Sequence, residues 1–88
     1  MIVRIYFLYN LVLCYMSIIN KKICNYIAEE WIGKAKSNRE FAIDHNIDEK
    51  TVRKILRPEG YEIPLLTLSR ICEAKEIKIS DFFKLIEL

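Results

Sequence analysis

The run NIDEKTVRKILR, residues 46–57, holds Lys50, Arg53, Lys54 and Arg57 against Asp48 and Glu49. Ammonium and guanidinium groups at this density suit a polyanion, because they displace counterions condensed on its phosphates. The Lys, Thr and Glu side chains among them can also donate to, or accept from, the polar edges of heterocyclic bases. Other chemistries are poorly supplied. His45 is the single histidine, and Cys14, Cys24 and Cys72 form no Cys-x-x-Cys pair, so no zinc-ligand spacing is present. There is no glycine-rich phosphate loop and no pair of carboxylates set for acid–base work. These features argue against an enzyme and imply neither a metal nor a cofactor. The cysteines read as buried free thiols in a reducing cytoplasm.

A chain of 88 residues has room for one small domain. Its net charge of +2 is too near neutral to mark a nucleic-acid binder, so the distribution of charge matters more than the sum. Residues 21–33 are balanced, residues 58–88 are net −2, and residues 34–57 are net +3. The basic excess therefore surrounds the cationic run. On charge alone that run reads as a solvated helix face, and its neighbours in the chain decide whether it is more.

From Lys21 the apolar residues recur at helical spacing, with Ile23, Tyr26, Ile27 and Trp31 on one face and Gly33 weakening the end. SNRE, from Ser37 to Glu40, is a capping box that opens a second helix, in which Phe41 and Ala42 face the core. Asn46 tolerates the left-handed conformation that ends a helix, and Ile47 can pack back on the core. Asp48 then caps a third helix over residues 48–57, in which Val52, Ile55 and Leu56 form the buried stripe. Pro58 stops it, and Pro64 stands at or just before the first turn of a fourth helix, with Leu65, Leu68 and Cys72 on one face and Ile71 beside it. Ser80 caps a last helix carrying Phe82, Phe83 and Ile86. Residues 21–88 thus read as an all-α domain of five short helices, with no strand and no internal repeat.

Residues 1–20 are an apolar N-terminal extension to that domain. The run approaches the ~20 residues that span a bilayer, and Lys21 and Lys22 follow it as the cytoplasmic flank of an anchor would. It also reads as an upstream extension before an initiator at Met16, or as a β-branched and aromatic segment that packs or pairs. No small-x-small site follows that would mark a cleaved signal peptide.

Two short helices joined by a tight turn, the second of them cationic, match the helix-turn-helix unit, whose second helix enters the major groove of DNA. NREFAIDHNIDEKTVRKI resembles the lambda-repressor-like (Xre/Cro-type) helix-turn-helix family, whose pattern runs Gln-Glu-x-Leu-Ala, a Gly-Val turn, a Ser or Thr cap and a recognition helix. Asn38 stands where that pattern has its Gln, Phe41-Ala42 stand for Leu-Ala, Asn46-Ile47 for Gly-Val, Asp48 for the cap and Thr51-Val52 for Ser/Thr-Ile. IPLLTLSRICEAKEIKISDFF is similar to the family's fourth helix and the start of its fifth, while the loop RPEGY is longer than the Gly turn of many members.

The resemblance, over residues 21–88, implies a compact five-helix domain that binds double-stranded DNA as a homodimer. It implies base contacts from Glu49, Lys50, Thr51 and Lys54 and phosphate contacts from Asn38, Arg39, Arg53 and Arg57. Thr51 also reads as a packing residue beside Val52. The expected function is a sequence-specific transcriptional regulator, either a repressor or an antitoxin-like autoregulator. The alternative is a protein-interaction or membrane-tethered module that keeps the fold without specific DNA binding.

Overall fold

A computed structural model describes residues 18–87 and builds them from five helices without a strand. Helix α1 covers residues 18–26 and continues through a π turn, Ile27–Trp31, into a 3-10 turn, Ile32–Lys34. The others are α2, Asn38–Asp44, α3, Glu49–Ile55, α4, Leu65–Ala74, and α5, Ile79–Leu85. The anchor, upstream-extension and packed-segment readings of the N-terminus concern residues outside this range, except for 18–20. Those three are already helical, and Ile19 packs against the core, so the expected boundary before Lys21 falls inside α1. Among the described residues, no helix is long and apolar enough to cross a membrane.

The expected α1 face is present, with Ile23 and Ile27 buried and Tyr26 and Trp31 half-buried against the core. Its end is not a simple fray. The Ile32 N–H reaches back to the Ile27 carbonyl, which inserts one extra residue into the turn. Gly33 permits this coil, because a Cβ there would stand 3.2 Å from the Ala28 carbonyl oxygen. The result carries Trp31 onto Phe82 of α5, with ring centroids 5.4 Å apart. Tyr26 meets Trp31 edge-on at 5.4 Å and Phe82 at 5.7 Å. Such pairs add about 0.5–1.5 kcal/mol each beyond the area they bury.

The Ser37 hydroxyl accepts the Glu40 N–H at 3.0 Å and opens α2, as expected. The helix closes through Asn46, whose φ of 55° lies in the left-handed region. The Ile47 N–H then bonds the Ala42 carbonyl at 3.0 Å, and the Asn46 N–H bonds that of Ile43 at 3.3 Å. This is a Schellman closure, and it turns Ile47 back onto the core. The corner between α4 and α5 repeats it. Glu76 has φ 57°, the Ile77 N–H bonds Cys72 at 3.0 Å and the Glu76 N–H bonds Glu73 at 3.0 Å. The sequence shows no repeat here, but the backbone does.

Four local expectations need correction. Asp48 occupies the N-cap of α3, yet its side chain makes no capping hydrogen bond. Lys78 rather than Ser80 is the N-cap of α5, because the helix starts two residues after the apolar Ile77, as α3 does after Ile47. Helix α3 ends at Ile55, which leaves Leu56 as a C-cap that is 39% exposed and puts Arg57 beyond the helix. Leu65 is 69% exposed, while Leu68, Ile71 and Cys72 carry the buried face of α4. A first-turn side chain leans toward the helix N-terminus, and here that leads past the edge of the core.

The left-handed turns generate a prediction. A side chain at positive φ is strained, and Glu tolerates this less well than Asn. Glu76→Gly is expected to stabilise the fold by about 1 kcal/mol, or roughly 4–8 °C in thermal midpoint for a domain of this size. Asn46→Gly should gain less. Thermal melts of the two variants check this, and a lowered midpoint for Glu76→Gly would contradict strain at that corner.

Candidate nucleic-acid interface

The Asn46 corner fixes how α3 is rotated. Val52 and Ile55 are buried in the core, and full burial of such side chains contributes about 1.5–3 kcal/mol each. At about 100° per residue, Arg53, Lys50 and Lys54 fall within an arc of about 100° centred opposite that buried stripe. Lys50 and Arg53 are exposed, and Lys54 is half-buried. Glu49 is exposed at one flank of the arc, and Thr51 is half-buried at the other, beside the core. Arg57 is exposed in the turn after α3. Arg39 is exposed and Asn38 half-buried in the first turn of α2.

Among the described residues the one ion pair is Lys34 with Glu30, at 3.1 Å. Lys50, Arg53, Lys54 and Arg57 thus have no carboxylate partner there, and the charges of the α3 face remain available to an external anion. Lys54 does have another neighbour, since its Nζ lies 5.7 Å from the ring centroid of Tyr61, within reach of a cation–π contact. Sequence spacing gave no hint of this pair, because the residues face each other across an irregular loop.

A polar cleft of about 240 Å³ runs beside the same corner, lined by Asn46, Ile47, Asp48, Thr51, Thr67 and Arg70. It brings Thr51 together with two α4 residues that the sequence reading left unassigned, Thr67 and Arg70. Cys24 and Cys72 are buried free thiols, as expected, and burial raises both above the ordinary thiol value. Cys14 lies outside the described residues. Among those described, no group of three His, Cys, Asp or Glu side chains could hold a metal ion. Compared with protein-family models, with curated proteins and with solved structures, the chain gives no match.

His45 is the buried polar residue of the corner, 6% exposed. Its ring stacks on Phe41 with centroids 3.8 Å apart, and its Nδ1–H donates to the Phe41 carbonyl at 2.7 Å. Burial lowers its pKa below the ordinary 6.5. The Phe41 bond opposes that, Lys75 lowers it further, and Asp44 pulls the other way. The folded state therefore favours the neutral ring. Its contribution to stability is complete above pH 6.5 and is lost as pH falls below that through the folded value. Melts at pH 7 and pH 5 are expected to show an acid loss of midpoint that shrinks in His45→Gln. An identical pH dependence in the variant would exclude His45 as its source.

Proposed function

We propose that this protein is a sequence-specific DNA-binding regulator of the helix-turn-helix kind, which acts by occupying its site and has no chemistry of its own. The observation that carries the reading is the face of α3, where Lys50, Arg53 and Lys54 project opposite Val52 and Ile55 without carboxylate partners among the described residues. In this reading α3 lies in the major groove. Glu49, Lys50 and Thr51, in its first turn, and Lys54, in its last, meet base edges, with Lys donating to guanine and Glu accepting from cytosine. Arg53, Arg57, Asn38 and Arg39 hold phosphates. Two copies presenting α3 to a pseudo-palindrome would place their half-sites ~10 bp apart.

A protein-interaction module is the second reading, favoured by Leu65 and Leu66, which are 69% and 62% exposed on the first turn of α4. Binding at moderate salt to sequences selected from random DNA separates the two. The Lys50→Ala, Lys54→Ala double variant should lose specific binding while its helical circular dichroism is unchanged, since each base contact contributes about 1–3 kcal/mol. Arg53→Ala should weaken all sequences alike and lower the slope of log affinity against log salt by about 1. If the double variant binds the selected site as the wild type does, α3 is not the reading helix.

A further inference from the structure

The loop RPEGY, which joins α3 to α4, is held at three points. The Gly60 N–H bonds the Arg57 carbonyl at 3.0 Å and closes a turn with Pro58 and Glu59 at its centre. Gly60 has φ 87° and lies so close to α1 that a Cβ there would stand 3.1 Å from Cγ of Lys21. The Cys24 thiol, on α1 and 1% exposed, donates to the Tyr61 carbonyl at 3.2 Å. A loop tethered in this way presents the Tyr61 side chain at a fixed place, and that place is under Lys54.

We propose that Tyr61 is a positioning residue for Lys54, and that the tethered loop sets where the Lys54 ammonium stands on the outer face of α3. This rests on the DNA-binding reading of α3 and names a determinant of its specificity. A free lysine has four rotatable side-chain bonds, and binding a base edge must freeze them. The electron-rich face of Tyr61 restricts the ammonium in advance, so less freedom is lost on binding. Lys50 and Arg53 have no such aromatic neighbour among the described residues. Of the α3 cations, Lys54 is therefore the one whose reach the fold defines.

The test uses the whole protein with Tyr61→Phe and Tyr61→Leu. By NMR without DNA, the Lys54 ε-methylene protons should show an upfield ring-current shift in the wild type and in Tyr61→Phe, and lose it in Tyr61→Leu. With DNA selected by the wild type, Tyr61→Leu should lower the ratio of specific to non-specific affinity about three- to tenfold. Its salt slope should be unchanged, because Lys54 keeps its charge, and Tyr61→Phe should behave as wild type. In Lys54→Ala the Tyr61→Leu change should have no further effect on that ratio. Absence of the ring-current shift in the wild type overturns the positioning role and leaves the DNA reading of α3 standing. Tyr61→Leu that loses the shift yet discriminates as the wild type does overturns it too. A wild type that shows the shift but selects no DNA sequence removes the function instead, and the specificity role with it.

Discussion

The left-handed turn at Asn46 is the constraint on which the rest of the molecule depends. Because its φ is 55°, the Ile47 N–H can return to Ala42, and Ile47 is folded onto the core rather than into solvent. Asp48 follows at once as the N-cap, and α3 starts with its rotation already set. Val52 and Ile55 point inward for that reason, and Lys50, Arg53 and Lys54 point out. An insertion of one residue at the corner would rotate α3 by about 100°, which would swing Thr51 or Arg53 toward the place of Val52. Buried unpaired polar groups are costly enough to oppose that slip.

The same backbone corner is used again between α4 and α5, with different side chains on it. Lys78, Ser80 and Asp81 stand where the first corner has Asp48, Lys50 and Thr51. Farther along, Phe83 and Lys84 stand where the first has Arg53 and Lys54, so of the three cations on the α3 face only Lys54 has a cationic counterpart at the second corner. Its main structural duty is instead to seat Phe82 under Tyr26 and Trp31, which closes α5 against α1.

Much of this was legible in the chain. The Ser37 cap, the Asn46-Ile47 turn, the stripe of Val52 and Ile55 and the five-helix order follow from spacing and local hydrogen-bonding preferences, which act over a few residues. What escaped depends on longer reach. The π turn at Ile27–Trp31 breaks the regular period, and no propensity of Glu29 or Glu30 announces it. Ser80 lost the cap position to Lys78 because the Schellman turn, and not the best capping side chain, sets where α5 begins. Leu65 and Leu56 follow the apolar pattern, but each stands where its helix overhangs the core. In the candidate site, the exposure of Lys50 and Arg53 could be read from periodicity, whereas the contact of Lys54 with Tyr61 required the loop path between them.

The two repeated corners also bear on how quickly the chain finds its structure. Each ties a helix to its partner through a turn closed by bonds between near neighbours in sequence, so α2 with α3, and α4 with α5, can assemble as separate local units. Domains dominated by such local contacts fold in microseconds to milliseconds, because little loop entropy is lost before contacts form. The distant steps that remain are the seating of α1 against Phe82 and against the Tyr61 carbonyl. Those long-range contacts close the long loops between α1 and the rest of the chain, and so carry the loop entropy that the two corners avoid.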